Sequence, residues 1–400
     1  MERCIANIPV FNYMEKNDCT GCEVCANSCP TGCISMIPDG EGFLFPYGDM
    51  NKCIKCNKCV HSCPIQHITD KKLLLDSYAG YIKNEKILKN SASGGMFSLI
   101  VDAFHNYTNG TGYVDGVVWT DDYTNAVHVV SAEEAVIDRM KSSKYIQSSK
   151  GNIYNQIKAL LEQGEFVLFS GTPCEAAGLR SYLNKEYERL YIVDIVCQGP
   201  TSPSAMNQFV KSITQNGKKR VKALDMRYVK VTPWIPQWIK IDFEEGANWC
   251  KLFYETTIGR SMHIMQRRAC YKCSFNGSRR CSDITIGDYH GADPDADYYN
   301  AYGTSILIIN TDKGKKLFKL IDRNNCHLVS LDYDTISAPN PRVVQSGEPH
   351  AFRDQFGDIY ARKGLVAAAK ASWSVRQKLR MKIPYSIRLV VRKIKKGRCI

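Results

Sequence analysis

No apolar run in this 400-residue chain approaches the twenty residues that a membrane helix needs, so no segment is expected to cross a bilayer. The opening residues, Met1-Glu2-Arg3-Cys4-Ile5, lack a charged-then-apolar secretory pattern, which sets the expectation of a cytoplasmic protein. Acidic residues are missing from one end altogether, since none follows Asp358. Residues 359–400 hold 13 Lys and Arg, from Arg362 to Arg398, which equals the formal net charge of +13. The remainder is therefore neutral, with 40 basic and 40 acidic residues. A neutral body and a basic end poor in aromatics exclude a nucleic-acid surface.

Cysteine is what the sequence has in excess. There are 18, and ten of them fall within residues 1–63. A reducing compartment does not sustain a disulfide framework, and a chain long enough for two or three domains needs no staples. Metal ligation is the better account. Cys19-x2-Cys22-x2-Cys25-x3-Cys29-Pro30 recurs as Cys53-x2-Cys56-x2-Cys59-x3-Cys63-Pro64. Three closely spaced cysteines wrap one iron–sulfur cubane, and the fourth, before Pro, reaches the other cubane. This assigns Cys19, Cys22, Cys25 and Cys63 to one [4Fe–4S] cluster and Cys53, Cys56, Cys59 and Cys29 to a second. Structural zinc favours separated Cys-x2-Cys pairs around one ion and fits this spacing poorly. Cys33 and Cys4 lie outside the pattern and read as packed free thiols.

Beyond residue 70 the pattern alternates between strand and helix, which predicts an α/β or α+β domain with a mixed sheet. Strands are expected at 78–82, 116–119, 127–130, 166–169 and 191–196. Helices are expected from Ser93 to about His105, over 153–161, and from Cys174 to about Leu183. Three turns sit where chemistry is usually found. Ser91-Ala92-Ser93-Gly94-Gly95 opens a helix, a natural cradle for phosphate. Ser143-Lys144-Tyr145-Ile146-Gln147-Ser148 sets a cation among hydroxyls and a ring. Gly171-Thr172-Pro173-Cys174 carries a thiol at a strand-to-helix turn. Cys270-x2-Cys273 needs two further ligands, with Cys281, Cys197 and Cys174 as candidates and zinc as a competing ion. Cys250 and Cys326 read as core residues.

Taken in order, Ser91–Gly95, Ser143–Ser148, Ser170–Cys174, Asp194-Ile-Val-Cys197-Gln-Gly199-Pro200-Thr-Ser-Pro203, and Cys270-x2-Cys273 with Ser282-Asp-Ile-Thr-Ile-Gly-Asp288 resemble one family. It is the beta subunit of coenzyme F420-reducing hydrogenases and dehydrogenases, in the form with an N-terminal ferredoxin module. The resemblance covers residues 1 to about 300. It implies a dicluster ferredoxin domain over 1–70, followed by a mixed-sheet α/β flavoprotein domain over 71–345, with parts 71–150 and 151–345. A basic tail over 346–400 follows. It further implies FAD lined by Ser91, Ser93, Gly94, Gly95, Lys144, Tyr145, Ser148, Gly171, Thr172 and Pro173. A third [4Fe–4S] cluster on Cys174, Cys197, Cys270 and Cys273 is implied as well, with Cys281 as substitute. The Tyr289-His290-Gly291 ending looks like a bacterial branch whose members need not use F420.

Clusters move single electrons, whereas nicotinamides and deazaflavins exchange hydrides, and a flavin can do both. The expectation is therefore an oxidoreductase that passes electrons between a redox partner such as ferredoxin, or another oxidoreductase subunit, and a small-molecule hydride acceptor or donor. An electron-transfer subunit without substrate chemistry, docked on a larger complex, is the alternative. A body that has lost its flavin and serves as a scaffold is another. In the tail, Val375–Ile383 and Ile387–Lys395 intersperse apolar and basic residues around Pro384, as amphipathic segments lying on an anionic membrane do. An acidic protein partner, or plain solvation of the charges, are the other readings.

Overall fold

The structure is a computed structural model that describes residues 8–231 and 233–395; the thiol of Cys4 lies outside the described residues. Near the N-terminus, β1 (Ile34–Pro38) and β2 (Leu44–Gly48) form an antiparallel hairpin. The body is built on β3 (Asp76–Ile82), β4 (Tyr113–Trp119), β5 (Ala126–Ser131), β6 (Val167–Gly171) and β7 (Leu190–Ile195). A separate three-stranded sheet holds β8 (Val221–Tyr228), β9 (Trp238–Phe243) and β10 (Asn248–Leu252). The main sheet is completed by β11 (Ile284–Asp288), β12 (Ser305–Ile309) and β13 (Cys326–Ser330), giving eight strands in the order β13-β3-β12-β11-β7-β6-β4-β5. Its centre is parallel (β11 with β7, β7 with β6, β6 with β4) and its margins are antiparallel, so the expected mixed α/β sheet is what the chain forms.

The period-two alternation of a strand explains how both faces of the central strands are apolar. Leu168, Tyr191 and Val193 point to one face, under the helix Met96–Tyr107 with its buried Leu99, Ile100 and Phe104. Val167, Phe169, Leu190 and Ile192 point to the other, under the helices Ile153–Glu162 and Pro173–Leu183. Val24 from the cysteine-rich region is fully buried in that second core. The N-terminal module is thus packed onto the sheet's helical layer.

Residues 346–372 are not tail. The segment Arg353–Ser372 is helical and buries Phe356, Tyr360, Leu365, Ala368 and Ala369 against the helices Pro203–Ile213 and Thr257–Ile264. Its apolar stripe is interrupted at Gly364, where φ reaches 79° and the helix breaks. The freed N–H of Leu365 is taken up by the Gln208 side chain at 2.7 Å. The basic, loosely attached part begins only with the helices Val375–Met381 and Tyr385–Lys395. Among the other cysteines, Cys326 is buried as expected, whereas Cys250 sits half-exposed on β10 at the small sheet's margin.

Phe356 lies at 0% exposure in a core shared with the helices Pro203–Ile213 and Thr257–Ile264, and cutting such a side chain to Ala costs about 3–5 kcal/mol. Anaerobic chemical denaturation is expected to show Phe356→Ala unfolding at clearly lower denaturant. Truncation after Ser374 should leave the midpoint where it is.

Candidate redox site

The two cysteine repeats fold alike. Each opens a one-turn helix, Val24–Asn27 or Lys58–His61, and each helix is entered through a left-handed residue, Glu23 at φ 64° and Asn57 at φ 55°. Two sulfur-lined hollows result. Cys19, Cys22, Cys25 and Cys63 line the first, and Cys29, Cys53, Cys56 and Cys59, together with Cys33, line the second. The fourth cysteine of each repeat thus crosses to the other hollow, the arrangement that the spacing predicts. Apolar side chains such as Val10, Val24 and Ile65 close the first, and Ile8, Ile34 and Ile54 the second. Cys33 is packed, as expected, but its sulfur also touches that of Cys29 at 3.3 Å.

A third group of thiols stands at the carboxyl ends of the parallel strands. Cys174 follows β6 and Cys197 follows β7, the edge where open α/β sheets carry their ligands. Cys270 and Cys273 come from the turn Arg268–Lys272. Burial, then the charges of neighbouring thiols, push Cys197 and Cys270 far above the ordinary thiol value; each feels Cys174 and Cys273. Cys174 is pushed up to about 11 by burial, then by Glu175, with Cys273 adding to the effect. Each of these thiols feels the charge of others in the group or of its buried surroundings, and as free thiols they keep their protons. Cys281 is placed otherwise, its thiol turned 3.6 Å from the carbonyl of Arg279. Among the described residues no three His, Cys, Asp or Glu converge tightly enough for a single metal ion.

The first hollow and the third group are neighbours. Cys22 is raised by burial and by Cys63, Cys19 and also Cys174. Gly178, in the helix that begins beside Cys174, makes this approach possible, since a side chain there would strike Val24. Tyr154 donates its hydroxyl to the Cys22 carbonyl at 2.9 Å. Arg267 is 2% exposed and bolts the two parts together. Its guanidinium donates to the carbonyls of Cys19 (2.6 Å) and Leu44 (3.0 Å), approaches the Cys19 sulfur at 3.6 Å, and stacks 3.9 Å from the Phe45 ring. Arg353 adds a bidentate pair with Glu41 at 2.8 and 2.5 Å.

Beneath Cys174 runs a buried chain of charges that gives no spacing signal in the sequence. Glu175 caps its own helix by accepting from the Thr172 N–H at 2.8 Å. It also pairs with Lys150 at 2.5 Å, accepts from Ser148, and lies 3.5 Å from His128, which bonds Asp115 at 3.0 Å. Lys150 continues the chain, its backbone N–H donating to Glu23 at 3.1 Å, beside Cys22. Burial alone would lower His128, but Asp115 and Glu175 hold it up at about 9. Lys150 and His128 in turn keep Glu175 well below the ordinary carboxylate range against the cost of burial.

The expected flavin contacts divide. Ser91 donates to the carbonyl of Ile87, Ser93 donates to that of Thr304, and the Gly94 N–H donates to the Ser305 hydroxyl. Gly95, at φ 83°, turns the chain into the helix Met96–Tyr107. Lys144 offers no free cation: its ammonium donates to the carbonyls of Arg139, Met140, Lys141 and Ser142 at 2.7–3.1 Å. It therefore caps the helix Glu134–Met140, a correction to the expected cofactor contact. Ser148 is bonded to Glu175, and Gly171, Thr172 and Pro173 form the turn that presents Cys174. Tyr145 is different, lying near Arg227, Asp288 and Tyr254. Arg227, which the sequence did not single out, is buried. It pairs with Asp288 at 2.9 Å, donates to the Ala92 carbonyl and lies 4.6 Å from the Trp234 ring. Arg227, Tyr145, Tyr254 and Trp234 thus gather beside Ala92, in the turn that leads into the helix Met96–Tyr107.

Comparison with known proteins gives two family matches. Residues 18–67 match the 4Fe-4S dicluster domain. Residues 164–332 match the family described as the C terminus of the coenzyme F420 hydrogenase/dehydrogenase beta subunit. Among solved structures, a chain of the F420-reducing [NiFe] hydrogenase complex from Methanosarcina barkeri aligns at 15% identity and a TM-score of 0.45, covering 75% of this chain and 91% of that one. No curated protein gives a significant match.

The His128 pairing sets a pH dependence. Held near 9 against an ordinary value of 6.5, the protonated ring stabilises the fold fully below pH 6.5 and loses that contribution as pH rises through 9. Denaturation midpoints across pH 6–10 should fall with a slope of at most about 1.4 kcal/mol per pH unit from this group, and His128→Gln should flatten that fall. Parallel curves for the two proteins would contradict the pairing.

Proposed function

We propose that this chain, in which a 4Fe-4S dicluster domain precedes a beta-subunit region of the coenzyme F420 hydrogenase/dehydrogenase family, is a flavin-linked iron–sulfur oxidoreductase subunit with three clusters. In this reading the two N-terminal clusters sit on Cys19, Cys22, Cys25 and Cys63, and on Cys53, Cys56, Cys59 and Cys29. The third sits on Cys174, Cys197, Cys270 and Cys273. The observation that supports the reading is the packing of the Cys22 loop on the helix that presents Cys174, where a side chain at Gly178 would meet both Val24 and Cys22; a cluster on each cysteine group would then lie beside the other. Electrons from a partner such as ferredoxin, or another oxidoreductase subunit, enter at the outer pair, the exposed Cys56 marking the solvent side.

FAD, when bound, exchanges single electrons with clusters and electron pairs with a hydride partner. The residues suited to hold it are Tyr145, Arg227, Trp234 and the first turn of Met96–Tyr107. Ser91, Ser93, Gly94 and Lys144 act as the scaffold of that place, since their polar groups are engaged with protein. Arg227 supplies a fixed positive charge, held by Asp288, for a phosphate or a reduced ring. The hydride partner is a small molecule of the F420-like or another two-electron class. That same engagement of four expected contacts favours one alternative, an electron-transfer subunit that docks on a larger complex and carries out no substrate chemistry.

Anaerobic purification with iron and flavin analysis tests the proposal. Three cubanes require about twelve iron atoms per chain, and Cys174→Ser is expected to remove about four while the N-terminal pair remains visible by EPR. A content of about eight iron atoms that Cys174→Ser leaves unchanged would overturn the third cluster. Absence of flavin absorbance after reconstitution with FAD would select the electron-transfer alternative.

A further inference from the structure

The helices Val375–Met381 and Tyr385–Lys395 take no part in the redox site, and both expose large aliphatic side chains. One face of Tyr385–Lys395 is fixed to the body. The Tyr385 ring meets Trp238 edge-on at 5.2 Å, and three residues on, Arg388 forms a bidentate pair with Glu255 at 2.5 and 3.0 Å. At 3.6 residues per turn, Ile387 and Val390 then lie on the side turned away from that anchor. They are 52% and 46% exposed. In the sequence the same spacing continues through Val391 and Ile394. In the preceding helix Val375 and Leu379, four residues apart, are 74% and 58% exposed, and Ile383, in the connection between the two helices, is 45% exposed. Five large aliphatic side chains thus form an outward stripe that the fold leaves in water.

Charge says what covers it. Arg376, Lys378, Arg380 and Lys382 flank the stripe, all of them exposed, and no acidic residue follows Asp358. An acidic protein partner would satisfy the cations but has no need of a continuous aliphatic stripe two helices long. An anionic lipid surface satisfies both, taking the aliphatic residues among the acyl chains and the cations among the headgroups. Among the described residues no helix is long and apolar enough to cross a membrane, so the contact would be in the plane of the surface.

We infer that the two C-terminal helices, the second of them tethered through Trp238 and Glu255, dock the protein on an anionic membrane surface. The inference is independent of cluster and flavin content. The test is flotation of the full-length protein with phosphatidylcholine vesicles, with and without about a third phosphatidylglycerol. Binding is expected only to the anionic vesicles, weakened by salt, and reduced roughly tenfold or more in Leu379→Glu/Ile387→Glu. Both positions are exposed, so the variant should keep its visible cluster spectrum, which checks folding. Absence of binding to anionic vesicles at low salt would overturn the inference, as would equal binding by the variant. Salt-sensitive capture of an acidic ferredoxin by the same helices, without vesicle binding, would overturn it too.

Discussion

The contact between the loop of Cys22 and the helix of Cys174 is the constraint on which the remainder of this molecule depends. These segments lie more than 150 residues apart in the sequence, and a side chain at Gly178 of the Cys174 helix would meet the Cβ of Cys22, so the approach has to be held by tertiary contacts. The protein meets this with buried polar groups as well as with packing. Arg267 spends its guanidinium on the carbonyls of Cys19 and Leu44, Arg353 grips Glu41, and Lys150 and Glu175 join the loop of Glu23 to the capping box of the Cys174 helix. Charges removed from water cost several kcal/mol each unless they are paired. A chain that buries Asp115, His128, Glu175 and Lys150 together has placed strict geometric conditions on the junction between the Cys22 loop and the Cys174 helix.

The same logic accounts for the C-terminal helix Arg353–Ser372. It reaches across the body to hold the β1–β2 turn through Arg353 and closes the apolar core beneath the small sheet with Phe356 and Leu365. The cysteine-rich module is thereby clamped from two sides, by the layer above the main sheet and by the end of the chain. The module and the body are packed as one unit, in keeping with the iron–sulfur electron-transfer role that the two family matches support.

Much of this was legible in the sequence because it is encoded locally. Cysteine spacing specifies which thiols share a hollow, including the crossed Cys29 and Cys63, and the alternation of Val167-Leu168-Phe169 marks a strand buried on both faces. What could not be read depends on where distant segments meet. Lys144 looks like a free cation until the end of the helix Glu134–Met140 is placed beside it. Arg227 and Arg267 are single residues with no recurring partner, and only the fold brings Asp288 to one and Cys19 to the other. The helix Arg353–Ser372 was hidden by its break at Gly364 and by the charged face it turns to water. Cys281 followed from proximity in sequence alone and proved to face its own loop.

The most direct test of the central claim is EPR of the fully reduced, anaerobically prepared protein. Spin–spin interaction is expected to extend beyond the N-terminal pair to a third centre, and Cys174→Ser should remove that extra coupling while the signal of the pair persists. A spectrum identical in the two proteins, showing the N-terminal pair alone, would contradict the account.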